Sequence, residues 1–271
     1  MKHLLFTLTL FLSLNINSAE GAACGKYLAD ANSELGECEE YQADHSDKAS
    51  LQRGAKIYFN YCYGCHSLKY SRYNRMAKDL EIPENLFEEY LLFGDQKMGD
   101  LIQISMEAED SKEWFGVSPP DLTLEASLRG EEWIYTYLIS FYEDQSRPFG
   151  VNNKVYENVG MPHVLSQIQG IQQSVCKEVP LIAANGGLRQ DPLSGEVVTG
   201  ERCGFLEVSE RGEMSQEQFN ASMGDVTNFL SYVSDPIKEE REYLGKYVIL
   251  YLIIFSVLSF LLYREFEKDV H

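Results

Sequence analysis

The residues whose types and spacing carry the most chemistry are Cys62-Tyr63-Gly64-Cys65-His66. The pattern C-x-x-C-H is a c-type haem attachment sequence. Two thiols about one helical turn apart can each form a thioether bond to one haem vinyl group. The adjacent histidine can then set a ring nitrogen on the iron. A structural zinc site would need a second pair of Cys or His at finger spacing, which the sequence does not offer. A thioredoxin-type redox pair needs no histidine and belongs in a βαβ setting, of which the sequence gives no sign.

Electron-carrying c-type cytochromes hold iron between His and Met. Beyond the leader, the candidates for the second axial ligand are Met76, Met98, Met106, Met161, Met214 and Met223, with His45 and His163. Met223 lies in a helical apolar stripe and reads as core. Local context favours Met161. It sits in Met161-Pro162-His163, within a loop-like stretch from Arg147 to Val164 broken by Pro148, Gly150, Gly160 and Pro162. Loops held on a rigid scaffold are where functional side chains concentrate.

The elements that must position these groups are mostly helical. Asp47 or Ser50 can cap a helix in which Leu51, Ala55, Tyr58, Phe59 and Cys62 share one face, so that its C-terminal end delivers the cysteines. Tyr70-Ser71-Arg72-Tyr73-Asn74-Arg75 reads equally as a solvated loop or as a haem-edge contact. A short helix is expected from Pro83 to Phe93, with Gly94 as its stop. Pro119 and Pro120 make Trp114 to Leu122 an extended segment. Another helix is expected from Glu131 to Tyr142, burying Trp133, Ile134, Tyr137, Leu138 and Phe141. Ser215 and Gln218 form a capping box ahead of a helix burying Phe219, Met223, Val226, Phe229, Leu230 and Val233, which Asp235-Pro236 ends or bends.

Both ends of the chain speak of export and a membrane. Met1-Lys2-His3, an apolar run from Leu4 to Leu14 and small residues to Ala19 form a signal peptide, residues 1–19. Residues 20–46 read as an irregular arm in which Cys24 and Cys38 can form a disulfide; lipidation of Cys24 is the alternative. Residues 47–240 are then an exported haem domain, periplasmic in a bacterium. Leu244 to Tyr263 is long and apolar enough for one transmembrane helix, within 241–264, leaving 265–271 as a cytoplasmic tail. Cys176 and Cys203 read as a disulfide closing a Gly/Pro-rich insertion, worth about 3–4 kcal/mol by chain entropy. A net charge of −19 excludes nucleic acid, which needs a basic footprint, and favours a basic partner or simple solubility. The fold class is mainly α: a c-type cytochrome haem domain with long loops, plus one C-terminal transmembrane helix.

From about Leu51 to the end, the order of motifs resembles the cytochrome c1 family of proteobacterial type, the haem subunits of quinol–cytochrome c reductase (cytochrome bc1) complexes. The motifs are C-Y-G-C-H-S, Y-S-R-Y-N-R, W-F-G-V-S-P-P-D-L, W-I-Y-T-Y-L, V-G-M-P-H-V-L, F-L-S-Y-V-S-D-P and the single C-terminal anchor. The resemblance implies one covalently bound haem c, held by Cys62 and Cys65, with His66 and Met161 as axial ligands. It implies that Pro119 and Pro120 line the pocket and that Arg129 pairs with a haem propionate. It implies a chain that is no enzyme alone, taking electrons from the Rieske iron–sulfur protein and passing them to a soluble c-type cytochrome. Cytochrome b would surround the anchor, in the inner membrane. It implies nothing for Cys24 and Cys38. Two other classes stay open at this point: a tethered carrier serving a terminal oxidase or another reductase, and a haem enzyme or sensor with a labile sixth ligand.

Overall fold

The computed structural model describes Cys24, residues 36–183 and residues 187–270. The expected signal peptide, most of the expected arm, the three residues 184–186 and His271 lie outside the described residues.

The haem motif is delivered by helix α1, Lys48–Ile57, and a π-helical turn, Tyr58–Cys62. Asp47 caps α1 by accepting a hydrogen bond from the Ser50 amide at 3.0 Å. The wider turn shows in the Tyr63 amide, which donates to Tyr58 O at 2.9 Å, five residues back. Such turns inside α-helices occur often at functional sites. Here the turn sets the cysteines off the regular register of α1.

There follow β1 (Leu68–Arg72), α2 (Tyr73–Asp79), α3 (Glu84–Leu91), β2 (Leu101–Ile102) and α4 (Ala108–Phe115). Next come α5 (Glu125–Arg129), α6 (Glu131–Ile139), β3 (Phe141–Glu143), β4 (Val151–Asn153) and α7 (Ser166–Gln169). A ribbon of β5 (Gly170–Pro180) and β6 (Thr199–Arg211) leads to α8 (Gln216–Ser234) and α9 (Lys238–Val270). Each sheet has two strands: β1 with β2, β3 with β4 and β5 with β6, all antiparallel. The protein is thus mainly α.

The spine of the core is the crossing of α1 and α8. The capping box starts α8, with Gln218 N donating to Ser215 Oγ and Ser215 N to Gln218 Oε1. Its buried face of Phe219, Met223, Val226, Phe229 and Leu230 meets Leu51, Ala55 and Tyr58 of α1 and its turn in one apolar cluster. The approach is close because Gly54 has no Cβ: one built there would lie 2.1 Å from Asp225 O. Arg53 locks the crossing with two hydrogen bonds to Asp225, 2.6 and 2.8 Å.

Three residues, Asp235–Ile237, separate α8 from α9. Lys238 Nζ lies 3.5 Å from Glu131 at the start of α6, and Arg241 lies 2.6 Å from Asp235, so ion pairs bracket the joint. From Tyr243 to Tyr263 α9 exposes a continuous apolar surface, long enough to cross a membrane and unburied by the protein. It is the transmembrane anchor.

Several expectations need correction. The helix from Glu131 stops at Ile139; Phe141 and Tyr142 belong to β3, which pairs with Asn153 and Asn152 of β4 inside the expected loop. Side-chain amides end the helix: Asn153 Nδ2 donates to Tyr137 O, and Gln169 and Gln172 donate to Ile139 O. Trp114 and Phe115 are helical, and Gly116 in the left-handed region ends α4 before the two prolines. Residues 70–75 are not a loop but the end of β1 and the start of α2. Pro83 caps α3 rather than entering it, and α3 ends at Leu91, short of Phe93. The expected Cys176–Cys203 disulfide is present and closes the insertion; what the sequence reading lacked is the ribbon, in which the two cysteines are directly paired residues on the facing strands β5 and β6.

Candidate haem site

Cys62 and Cys65 are free thiols on one turn, with Cys65 N and His66 N both donating to Cys62 O, at 3.0 and 2.9 Å. Burial, and then the neighbouring Cys65, pushes the Cys62 thiol up to about 12. Burial also raises Cys65. Both are therefore protonated thiols at neutral pH, the form whose S–H can add across a vinyl double bond.

His66 is buried and fixed from two sides. Its carbonyl accepts from the Tyr58 hydroxyl at 2.5 Å. Its Nδ1 lies 2.8 Å from Pro120 O, and a carbonyl can only accept, so Nδ1 carries the proton. Nε2 keeps its lone pair for a metal. Burial lowers the imidazole below its ordinary value, against the Pro120 carbonyl and the charges of Glu125 and Asp121, and so favours this neutral form. The extended Pro119-Pro120 segment earns its place here. It presents a fixed carbonyl to the histidine, and Leu122 N then donates to Ser67 O at 3.0 Å, tying the segment to the residue between His66 and β1.

Met161 approaches the same segment. Its neighbour Gly160 packs so tightly that a Cβ there would lie 2.6 Å from Val117 Cγ1 and 3.2 Å from Phe115 O. The structure thereby sets the Met161 loop against the strip that holds His66. Met161 Sδ accepts a hydrogen bond from the Tyr137 hydroxyl at 3.4 Å. Burial raises that hydroxyl above the usual phenol value, opposed by Arg129. Two residues on, the His163 ring stacks on Phe141, with centroids 4.9 Å apart and planes 2° from parallel.

Arg129 is linked to both halves. Its Nε donates to Glu125 at 2.6 Å, and its guanidinium lies 4.4 Å from the Trp133 ring centroid. Trp133 in turn stacks on Tyr137. A contact chain thus runs from Arg129 through Trp133 and Tyr137 to Met161. Val117, Leu124, Leu128 and Tyr156, on the segments bearing these groups, expose more than half of their surface. The donor set also fits a covalently held haem: two unpaired thiols, an imidazole nitrogen with its partner nitrogen satisfied, a thioether and a cation.

Three of the other ligand candidates are committed elsewhere. Met76 and Met223 are core, and His45 Nε2 bonds Ser231 Oγ at 2.9 Å. Cys24 is bonded to Cys38, and Cys176 to Cys203. Sequence reasoning placed Tyr137 and Tyr58 in apolar helix faces and gave Gly160 no role beyond breaking the loop. The signal that could have found Tyr137 is the aromatic i, i+4 run Trp133, Tyr137, Phe141 ending beside the methionine loop.

The family model for the cytochrome c1 family matches residues 39–169 and 204–270, passing over β5 and the tip of the ribbon. The chain is 43% identical over 271 residues to cytochrome c1 of Allochromatium vinosum, covering all of both chains. It is 35% identical over 228 residues to a Nitrosomonas europaea protein named ammonia monooxygenase gamma subunit, covering 84% of this chain and 86% of that one. It is 24% identical over 249 residues to cytochrome c1 of Rhodobacter capsulatus, 79% and 81% of the two chains. The chain belongs to the cytochrome c1 family, the membrane-anchored electron-transfer subunits of bc1 complexes that carry covalently attached haem c.

Proposed function

We propose that this chain takes electrons from a Rieske iron–sulfur protein and delivers them to a soluble c-type cytochrome, as the haem subunit of a quinol–cytochrome c reductase. The observation that carries this reading is the pairing of a free Cys62/Cys65 thiol couple with a His66 whose Nδ1 is already satisfied by Pro120 O. When bound, haem c supplies a one-electron iron couple. Cys62 and Cys65 would hold the group through thioether bonds, His66 would offer Nε2, and Met161 would offer its thioether sulfur. A haem held by both His66 and Met161 would leave no open position for oxygen or substrate, which favours electron transfer over oxygen chemistry.

Pro119 and Pro120 wall the pocket, and Pro120 also holds the His66 ring in the orientation and tautomer a ligand needs. Arg129 offers its guanidinium to a propionate, beside the Glu125 carboxylate it already meets. The exposed acidic surface, including Glu107, Glu109, Asp110 and Glu113, suits a basic carrier, where charge complementarity acts mainly on the rate of encounter. The haem domain lies in the periplasm and the C-terminus in the cytoplasm, with cytochrome b around α9 in the inner membrane. The chain is not an enzyme by itself.

The test is purification from its own membranes in mild detergent, followed by a reduced-minus-oxidised spectrum with quinol as reductant. Co-elution of b-type haem and reduction of both haems by quinol is the expected result. Elution of c-type haem alone, left oxidised by quinol, would replace this reading with that of a tethered carrier for a different oxidase or reductase.

A further inference from the structure

We propose that Tyr137 is a positioning residue that tunes the redox equilibrium of the site by donating a hydrogen bond to the Met161 sulfur. This rests on the reading of Met161 as the sixth ligand. A thioether sulfur has two lone pairs and is a weak acceptor. One lone pair would serve the metal, and the other receives the Tyr137 O–H at 3.4 Å. Hydrogen bonds to ligand atoms are among the levers by which a protein sets a haem's redox behaviour. Donation to the sulfur draws electron density away from the metal. The oxidised ion depends on that density more than the reduced one, so the bond favours the reduced state.

The placement of the hydroxyl is held from several directions. The Tyr137 ring stacks on Trp133, with centroids 5.2 Å apart and planes 8° from parallel. Its other neighbour is Phe141, edge-on at 5.2 Å and 74°. Its backbone carbonyl accepts from Asn153 Nδ2 at 2.8 Å. The acceptor is held as well, by Gly160 against Val117 on one side of Met161 and by His163 on Phe141 on the other. Donor and acceptor therefore meet through two braced segments that share Phe141, and the Tyr137 ring is held by Trp133 and Phe141 rather than by its hydroxyl.

The experiment is a redox titration of the solubilised holoprotein together with its sulfur-to-iron(III) charge-transfer band, for wild type, Tyr137→Phe and a variant with 2,3-difluorotyrosine at position 137. A neutral hydrogen bond of ordinary net strength corresponds to about a two- to tenfold change in an equilibrium constant. Tyr137→Phe is expected to retain the band, at a shifted wavelength, and to disfavour reduction by that factor. The more acidic difluorophenol keeps the ring and the hydroxyl and is expected to move the equilibrium the opposite way. Wild-type titration of both variants with the band intact overturns the proposal, as does loss of the band in Tyr137→Phe, which would mark a packing role alone. Met161→Leu separates the two readings. Survival of the band in that variant overturns the ligand assignment, whatever Tyr137 does.

Discussion

Replacing Gly54 by alanine should destabilise the protein, although alanine is the better helix former. In a helix interior the exchange is worth about 1 kcal/mol in favour of alanine. At this crossing, however, the new methyl carbon would lie 2.1 Å from Asp225 O and 2.7 Å from the Cβ of Phe229. The first obstruction is backbone and cannot rotate away. Relief requires α1 and α8 to part by about 1 Å, and a gap of that order forfeits roughly a quarter to a half of each dispersion contact across it. Overpacking of this kind costs about 1–3 kcal/mol, and a backbone obstacle puts it at the upper end. The net loss is therefore about 2 kcal/mol, or about 4–8 °C in melting temperature for a domain of this size. The assay is a thermal melt of the detergent-solubilised holoprotein, followed by Soret circular dichroism. Gly99→Ala, where an added Cβ meets nothing within 4 Å, is the control and should change little. A Gly54→Ala protein that melts at or above the wild-type temperature would refute the argument that backbone contact governs this crossing.

Tyr58→Phe removes the donor to the buried His66 carbonyl, 2.5 Å away, and should cost about 1–3 kcal/mol in the same melt. Cys176→Ser with Cys203→Ser removes a cross-link between residues 27 apart, worth about 3–4 kcal/mol by loop-closure entropy. Because the ribbon is local, that loss should show as faster proteolysis within residues 181–198, with the haem spectrum kept. His45 is held below its ordinary value by burial and by Lys238 facing it from α9, against the acids Glu131, Glu239 and Asp235. As pH falls through about 6.5 the unfolded chain binds this proton before the folded one does, so the stability held above that pH is lost below it. Between pH 7.5 and 5.5 the wild type should lose more melting temperature than His45→Gln, which can still bond Ser231; equal losses would count against it.

The helical spine was legible because its periodicity and caps are local facts. Ser215 and Gln218 announce α8, and the stripe from Phe219 to Val233 reports its buried face. The attachment motif was legible for the same reason. The ribbon was missed because its register is set by pairing across long separations, as Gly170 with Arg211, and its strands alternate too weakly to be heard against the glycines. The end of α6 was missed because the signal is non-local: amides from Asn153, Gln169 and Gln172 claim its last carbonyls. Local composition singled out Met161 but not its fixing. That depends on Tyr137, twenty-four residues away, and on the missing Cβ of Gly160.

The joint between α8 and α9 sets how this protein meets others. Three residues and two flanking ion pairs leave little slack between the body and its anchor. A long flexible linker would let the domain sweep a volume of solution. This joint instead holds it at a nearly constant height and lets it spin and drift only with the membrane. Any exchange with a distant site then has to be carried by the other party. On the proposed reading, a soluble carrier would have to arrive from the aqueous side, and a membrane-bound donor would have to bring its reactive end up to this level. For a donor and an acceptor approaching from different quarters, the chain would then act as a stationary landing stage, with the timing of each transfer set by their traffic rather than by its own motion.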